Sequence, residues 1–334
     1  MRKWIILILC VILLGGCAGK KESFDGKDRP SSRGVLRVLD GKLCGEDGKP
    51  VMLRGISSPG VSISERYITD ACFHDLSRVL GANVYRLALY TWGFGTVGYC
   101  NGGNKDKLYR DILDGVEYAM KNDMYALVDW HVLQDETPMK YLDEAKDFFE
   151  RISADLKDKK NVLYEICNEP NHTDWKEIKE YADIIIPIIR KNDPDALIIV
   201  GTPNWSQDVD IAADDPLSYD NIMYTMHFYS ATHKEELRQK TKYALDKGLP
   251  VFVTEFGICA SSGGLPRDIP EADVWIDFLE QNGISYVMWN FSKSGEACAA
   301  LKASCIKLDG YIPEEDFSET GMWLYNTIRT RTGE

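Results

Sequence analysis

The sequence predicts an α/β protein built as a single (β/α)8 barrel, and the order of its apolar segments is the main reason. Eight short apolar runs have the length of buried strands. Most intervals between them hold an amphipathic stretch with helical spacing, such as Tyr141 to Lys157, and no change of composition divides the series. The runs begin near Val51, Ala82, Met124, Val162, Ala196, Ile222, Pro250 and Ser285. A doubly wound sheet with insertions is the competing fold.

The N-terminus has the pattern of a secretory signal. Arg2 and Lys3 precede an apolar run from Trp4 to Leu14, which is shorter than a membrane-spanning helix and suits the core of a signal peptide. The run ends in two glycines and Cys17, a pattern that resembles a bacterial lipobox, in which the cysteine is acylated after cleavage. We therefore expect residues 1–16 to be a lipoprotein signal peptide. Cys17 would then carry a lipid anchor in the bacterial cell envelope, facing the surface or the periplasm, and an ordinary signal peptide of a secreted protein is the alternative.

The remaining chain divides into a tether and one domain. Residues 17–34 are mostly charged or small, with Phe24 as the only bulky apolar residue, so we expect a flexible, solvated tether. Val35 to Pro50 has the pattern of a β-hairpin. Residues 35–334 are expected to form the barrel domain, with this hairpin at its N-terminus.

Charge and composition limit the class of partner. The chain has 39 basic and 52 acidic residues, a formal net charge of −13, so its surface repels phosphate backbones and anionic membranes, and no nucleic-acid partner is expected. The 8 Trp and 17 Tyr residues favour neutral, flat-faced ligands such as sugars. The five His residues are scattered, and no CxxC or HExxH pattern occurs. We therefore expect neither a metal site nor a cofactor.

Export would permit disulfides, but their pairing is open. Cys298 and Cys305 are close in sequence, and Cys259 lies in another loop at the same predicted end of the barrel. Pairing depends on the Cα separation and the side-chain direction, which the sequence does not give.

Polar and aromatic residues stand where the predicted strands end. In a (β/α)8 barrel the carboxyl ends of the strands meet at one mouth, where the chemistry of such proteins is found. Polar groups there are costly to bury without partners, so a ring of them indicates a binding or catalytic site. The ring consists of Arg86 on the second strand, Asp129, Trp130 and His131 on the third, Asn168 and Glu169 on the fourth, His227 and Tyr229 on the sixth, Thr254 and Glu255 on the seventh, and Trp289 and Asn290 on the eighth.

Two carboxyl groups in this ring have the arrangement that glycoside hydrolysis requires. Glu169 and Glu255 end the fourth and seventh predicted strands, so their side chains can face each other across the mouth. One carboxylic acid must protonate the leaving oxygen, and a second carboxylate must attack the anomeric carbon or activate water. A separation of about 5 to 5.5 Å between the two groups gives retention of configuration, and about 6.5 to 9.5 Å gives inversion.

Eight short motifs follow one another along the predicted barrel. They are Leu53–Ser58, Asn83–Arg86, Val128–His131, Tyr164–Pro170, Trp205–Val209, His227–Tyr229, Val253–Gly257 and Glu271–Trp275. In this order they resemble the bacterial endoglucanase branch of glycoside hydrolase family 5. The series is far more specific than a single Asn-Glu-Pro.

The resemblance implies a retaining endo-β-1,4-glucanase that acts by double displacement on cellulose, cello-oligosaccharides or mixed-linkage β-glucan. It implies Glu169 as the acid/base and Glu255 as the nucleophile. Asn168 could hold the substrate 2-hydroxyl, an interaction that strengthens as the oxocarbenium-like transition state forms. The other implied site residues are Arg86 and Tyr229 beside the nucleophile, His131 and His227 in the cleavage subsite, and Trp205 and Trp289 as stacking platforms for pyranose rings.

Two loops depart from the family pattern. Pro59 and Ile63 stand where the family usually has a His and an aromatic residue. Ser294 stands where the family usually has a Lys, and we expect the preceding Lys293 to reach the same sugar. We therefore expect binding on the glycone side to be weaker by roughly 1 kcal/mol or more.

Other interpretations remain open at this point. Sugar choice is set by loops, so mannan or xyloglucan is an alternative backbone. A non-catalytic glycan-binding lipoprotein is a further alternative, against which the presence of both glutamates argues. We expect a monomer. Glu165 shares strand parity with Glu169 and should point into the barrel, where it needs a partner, and Arg54 is the candidate.

Overall fold

A short helix and a hairpin precede the barrel. The computed structural model describes residues 28–93, 95–306 and 314–333, so the predicted signal peptide and Cys17 lie outside the described residues. Helix α1 (Pro30–Arg33) is followed by strands β1 (Arg37–Leu39) and β2 (Lys42–Cys44), which pair antiparallel. The predicted hairpin is therefore present.

Eight parallel strand positions close into a barrel. The strands are β3 (Arg54–Ser57), β4 (Val84–Tyr90), β5 (Tyr125–His131), β6 (Val162–Glu165), β7 (Leu197–Val200), β8 (Ile222–Thr225), β9 (Phe228–Tyr229), β10 (Val251–Gly257) and β11 (Tyr286–Met288). β8 and β9 share one position, because both pair with β10. Neighbours follow the chain order, and β11 pairs with β3 to close the ring. The (β/α)8 barrel is thus confirmed, and the doubly wound sheet is excluded.

Helices cover the outside of the barrel, apart from α6 (Pro203–Ser206), which is an irregular turn at the mouth. The others are α2 (Asp70–Arg78), α3 (Lys105–Lys121), α4 (Leu142–Leu156), α5 (Trp175–Asn192), α7 (Val209–Asp214), α8 (Glu235–Asp246), α9 (Ile269–Asn282) and α10 (Glu319–Thr332), with 3-10 turns at Glu65–Tyr67, Pro138–Tyr141 and Glu314–Asp316. Many begin at a residue whose side chain accepts from a free N–H of the first turn, as Thr69 does for α2 and Asp174 for α5. Among the described helices, none combines the length and the apolar character that crossing a bilayer requires.

Alternation along the strands separates the core from the site. On β4, Val84 belongs to the apolar cluster that fills the barrel interior, Arg86 follows on the same face, and Tyr90 belongs to a small cluster at the mouth. Leu36 and Leu43 of the N-terminal segment join the interior cluster and close the opposite end. Because side chains alternate with period two, one face of each strand carries apolar residues at its start and polar ones at its end.

The last residues of the predicted flexible tether are folded. Residues 28–34, which we assigned to it, pack on the barrel. The buried Asp28 side chain accepts from Met52 N at 2.9 Å, and the Arg29 guanidinium donates to the Asp123 carbonyl oxygen at 3.2 Å. The prediction is wrong here because polar residues can be ordered where loops offer backbone partners. Residues 28–34 therefore belong to the folded unit.

The predicted pair of Arg54 with Glu165 is also wrong. Leu53 lies in the interior cluster, so the next residue, Arg54, points outward, where it donates to both carboxyl oxygens of Glu280 on α9 at 2.8 and 2.7 Å. Glu165 is paired with Arg86 instead, at 2.8 Å.

One disulfide joins the loops that follow β10 and β11. It links Cys259 to Cys298, with a Cα separation of 5.9 Å. Cys305 is buried elsewhere, so of the pairings that the sequence left open, the one between Cys259 and Cys298 is formed. The bridge packs in the mouth cluster with Tyr229 and Trp289.

Candidate active site

A cleft of about 950 Å³ crosses the mouth of the barrel. Its lining includes Glu169 and Glu255, together with aromatic side chains such as Trp205 and Trp289. The two glutamates are only 9% and 5% exposed, and one carboxyl oxygen of each lies within 4.8 Å of the other. The structure therefore brings together two carboxyl groups that lie far apart in the chain.

Arg86 lies beneath the cleft and contacts three carboxyl groups. Its guanidinium donates from Nε to Glu165 Oε2 at 2.8 Å and from Nη1 to Glu255 Oε2 at 2.9 Å. The Nη2 group donates to Asn168 Oδ1 at 2.5 Å and lies 3.0 Å from Asp129 Oδ2. The side chain is fully buried, which is costly for an ion unless such partners surround it. Arg86 and its partners therefore depend on one another.

Glu255 receives a hydrogen bond on each carboxyl oxygen. Tyr229 Oη donates to Oε1 at 2.6 Å, and the Arg86 guanidinium holds Oε2. Glu255 can point into the barrel because the pairing of β10 with β11 shifts register between Val253 and Phe256. Both oxygens act as acceptors, which are the surroundings of an ionised carboxylate.

A chain of hydrogen bonds links Glu169 to the barrel interior. Glu169 Oε1 lies 2.8 Å from His227 Nδ1, and His227 Nε2 lies 2.9 Å from Thr254 Oγ1. Thr254 Oγ1 in turn donates to Glu165 Oε1 at 2.6 Å. His227 therefore bridges Glu169 and Thr254, with one ring nitrogen facing each.

The surroundings of Glu169 favour its acid form. Burial lowers the pKa of His227 to about 4, so the imidazole is neutral. Burial also raises the pKa of Glu169 to about 8, against the opposing charge of Arg86. Glu169 is therefore a buried acid beside a neutral imidazole.

His131 is held by a second set of contacts. Its Nδ1 lies 2.7 Å from Asp129 Oδ2, and its Nε2 lies 3.4 Å from Asn168 Nδ2. Burial lowers the pKa of His131 to about 3, so the ring is neutral and lies between Asp129 and the Asn168 amide. Asn168 is fully buried, and its amide also donates to Val132 O at 3.1 Å. Asn168 supports Arg86 and His131 from below, and its predicted contact with a substrate hydroxyl stays a prediction.

The two tryptophans predicted as sugar platforms both line the cleft, in different ways. Trp289 is 9% exposed, and its ring stacks on His131 with the centroids 5.4 Å apart. Trp205 is 41% exposed and lies in a turn after β7, where Trp205 and Ser206 have φ angles of 57° and 55°. Ser206 Oγ fixes this turn by donating to Asn168 O at 2.6 Å. Trp205 therefore offers a ligand more free surface than Trp289 does.

Lys293 does not line the cleft, contrary to the prediction. Its ammonium donates to the Cys305 carbonyl oxygen, a backbone acceptor that its sequence position did not reveal. Ser294 lines the cleft at this point, as do Pro59 and Ile63 in the loop after β3. The wall formed by these loops thus has neither the aromatic ring nor the lysine of the family pattern at those positions.

Several cleft residues were not found from the sequence, among them Tyr90, Trp92, His233 and Glu296. Tyr90 and Trp92 follow the apolar run of β4, where only Arg86 was selected, so two aromatic residues at a strand end were an available signal. His233 and Glu296 lie inside loops, where spacing gives no such signal.

In the part of the chain that the structure describes, one group of three side chains could hold a metal ion: Glu169, His227 and Glu255, with ligand atoms within 4.8 Å of one another. The group coincides with the glutamate pair. A cation there would lie beside the Arg86 guanidinium and replace the bonds that hold both glutamates. The arrangement therefore favours two working carboxyl groups over a metal site.

Glu169 and Glu255 thus differ in protonation although they lie within reach of the same bound molecule. A buried acid that keeps its proton, facing a carboxylate held by two donors, is the pair that cleaves a glycosidic bond. With a barrel that presents this pair in an aromatic-lined cleft, the class is that of a (β/α)8 glycoside hydrolase.

Comparison with known proteins gives the family. The family model for cellulase, glycosyl hydrolase family 5, matches residues 44–295. The chain is 43% identical over 299 residues to endoglucanase A of Butyrivibrio fibrisolvens, covering 88% of this chain and 68% of that protein. It is 40% identical over 329 residues to an endoglucanase of Clostridium saccharobutylicum, covering 98% and 72%. The chain belongs to glycosyl hydrolase family 5 and is a cellulase-type glycoside hydrolase, which excludes the non-catalytic alternative.

Solved structures agree with this assignment. A cellulase, Cel5C_n, superposes with a TM-score of 0.84 at 42% identity, covering 91% of this chain and 94% of that chain. The catalytic domain of Thermobifida fusca endoglucanase Cel5A, in complex with cellotetraose, superposes with a TM-score of 0.85 at 33% identity, covering 90% and 99%.

Proposed function

We propose that the protein is a retaining endo-β-1,4-glucanase in which Glu169 is the acid/base and Glu255 the nucleophile. One observation carries this proposal: one carboxyl oxygen of Glu169 lies within 4.8 Å of one of Glu255, where burial favours the acid form of Glu169 and two donors hold Glu255. This short distance supports the smaller carboxyl separation of retaining enzymes. A water molecule does not fit between such a carboxylate and the sugar, so the carboxylate itself attacks.

The reaction has two displacements. In the first, a Glu255 oxygen attacks the anomeric carbon, and Glu169 gives its proton to the glycosidic oxygen as the C–O bond breaks. The leaving sugar departs as an alcohol, and the other sugar is bound covalently to Glu255. In the second, the ionised Glu169 takes a proton from water, the water oxygen attacks the anomeric carbon, and Glu255 is released as a carboxylate.

The neighbouring residues prepare the pair for these roles. Tyr229 and Arg86 orient Glu255 for attack, and His227 holds the Glu169 carboxyl group in place. His131 lines the cleft and is suited to hydrogen-bond a sugar hydroxyl. Trp205, with its exposed ring, is suited to stack on a pyranose.

The proposed substrate is a β-1,4-linked glucan: cellulose chains, soluble cello-oligosaccharides or mixed-linkage glucan. Support comes from the endoglucanase names of the curated relatives and from the cellotetraose complex of the Thermobifida fusca enzyme. Mannan and xyloglucan are the alternatives, because the wall with Pro59 and Ile63 differs from the family pattern.

Product analysis tests the proposal. The protein is incubated with carboxymethylcellulose, mixed-linkage β-glucan, mannan and xyloglucan, with Glu255→Ala as the inactive control. We expect internal cleavage of the first two, with β-configured reducing ends appearing first by NMR. Initial α-anomers would contradict retention, and faster cleavage of mannan or xyloglucan would contradict the substrate.

We also propose that a lipid on Cys17 holds the enzyme in the cell envelope. The lipobox-like sequence before Cys17 supports this. Expression in a bacterium with labelled palmitate should label the wild-type chain and not Cys17→Ala, and an unlabelled wild-type chain would favour secretion.

A further inference from the structure

The wall of the cleft formed by the loops after β3 and β4 contains an aromatic side chain that the family pattern does not explain. β3 and β4 are neighbours in the barrel, so their loops form one wall. Ile63, in the first loop, is 46% exposed and offers an aliphatic surface. Trp92, in the second, lines the same cleft and is half-buried.

The order of the strands places this wall at one end of the cleft. Glu169 follows β6 and Glu255 lies on β10, at the fourth and seventh positions of the barrel. A glucan chain that passes between them therefore runs from the side of β3 and β4 towards the side of β7 and β8. Trp205 follows the fifth position, and Trp92 follows the second. The two indole rings therefore mark opposite ends of the path.

The Trp92 ring is held by residues of the loop after β5. The Lys140 ammonium lies 4.1 Å from the ring centroid, and the Tyr141 ring lies 6.3 Å away, tilted by 37°. A cation over an indole face and a neighbouring ring both limit the motion of Trp92.

The backbone that carries Trp92 is also braced. Thr91 Oγ1 donates to Asp135 Oδ2 at 2.5 Å, and Asp135 Oδ1 accepts from Leu133 N at 2.8 Å, which ties the β4 loop to the β5 loop. On the other side, Gly93 N donates to Asn101 Oδ1 at 3.2 Å. A ring fixed before a ligand arrives loses little conformational entropy when it binds.

We propose that Trp92 forms a sugar subsite at this end of the cleft and that Lys140, over one face of the ring, is its positioning residue. The ligand is a β-linked glucosyl unit of the bound chain, with its C–H face on the indole face opposite Lys140. The subsite rests on the proposed function, since it takes the far end of the same glucan.

The test compares substrates that reach the subsite with one that does not. Values of kcat and KM are measured for cellotetraose to cellohexaose and for an aryl cellobioside, using Trp92→Ala, Trp92→Phe and Lys140→Ala. The matched control is Tyr243→Ala: Tyr243 is 43% exposed with Lys247 5.0 Å from its ring centroid, but it lies on α8 outside the cleft.

We expect Trp92→Ala to raise KM for cellohexaose by about threefold to tenfold at unchanged kcat and to shift which bond is cleaved. Trp92→Phe should retain most of the affinity, Lys140→Ala should have a smaller effect, and Tyr243→Ala none. The aryl cellobioside should be hydrolysed at the wild-type rate by all variants.

Three outcomes would overturn the inference. An unchanged KM in Trp92→Ala would show that the ring does not contact the chain, and an equal loss on every substrate would show a structural role only. Wild-type protein that cleaves no cello-oligosaccharide would overturn the proposed function, and the subsite with it. These results are distinguishable because the wild type and the variants are measured on the same substrates.

Discussion

The floor and the rim of the cleft are built in different ways. The floor residues Arg86, Glu165 and Glu255 lie on strands and are at most 5% exposed, and Arg86 contacts both glutamates. The rim residues lie on loops, and among them Ile63 and Trp205 are 46% and 41% exposed. The floor is therefore a single network, whereas each rim residue can change without breaking another contact of the network.

This difference explains where the chain departs from its family. A buried guanidinium with three carboxyl groups is tolerable only while every member is present, since removing one leaves an uncompensated charge. The observed departures, at Pro59, Ile63 and Ser294, are all in the rim. The floor keeps the reaction, and the rim is free to set which sugar chain is bound.

The largest expected effect comes from replacing Glu255 and Glu169, one at a time. Glu255→Gln should abolish hydrolysis of every substrate, because no nucleophile remains. Glu169→Gln should slow hydrolysis of cello-oligosaccharides by about 10²–10⁴-fold, the usual contribution of a general acid. With an aryl cellobioside, whose phenolate leaves without protonation, the first step of Glu169→Gln should recover, seen as a burst of released phenol.

The burst of phenol released by Glu169→Gln serves as the internal control. It occurs only if Glu169 is the acid and Glu255 the nucleophile. A burst in Glu255→Gln, with none in Glu169→Gln, would reverse the two assignments.

A pH profile gives the next largest effect, because it tests how burial in the floor sets the acid. Burial raises the pKa of Glu169 to about 8, and only the protonated form can act in the first step. The value of kcat/KM for cello-oligosaccharides should therefore stay high below about pH 8 and fall about tenfold per pH unit above it. For the aryl cellobioside this alkaline fall should disappear, and one that persisted unchanged would indicate that a group other than Glu169 controls it.

The floor was largely predictable from the sequence, and the rim was not. Glu169, Glu255 and Arg86 stand at the ends of apolar runs, which the barrel geometry brings to one mouth, although Glu255 faces inward only because β10 shifts register. The prediction that Arg54 points into the barrel failed, because the sequence does not show which residues of that strand face the interior. Its side chain points outward to Glu280. Loop conformation has no comparable periodicity, which is why Lys293 was placed in the cleft.

Order outside regular elements was equally hard to predict. Residues 28–34 have the composition of a tether, and Asp28 is buried because a backbone N–H of the barrel needs a partner. Trp92 could have been noticed after β4, but its lysine neighbour comes from a loop far along the chain. Contacts between loops depend on the closed barrel, which the sequence of one loop does not describe.

The smallest expected effect tests whether the rim residues are independent. Ile63 is exposed enough to accept a larger ring, so Pro59→His combined with Ile63→Trp should lower KM for cello-oligosaccharides about threefold to tenfold with little change in kcat. If Trp92 already provides a stack at this end, the gain should be smaller in its presence and larger in Trp92→Ala, a coupling that a double-mutant cycle measures. An unchanged KM in both backgrounds would mean that this wall does not bind the chain. An equal fall in KM in both backgrounds would mean that positions 63 and 92 contact different sugars. The effects of rim substitutions would then be additive, unlike those of floor substitutions.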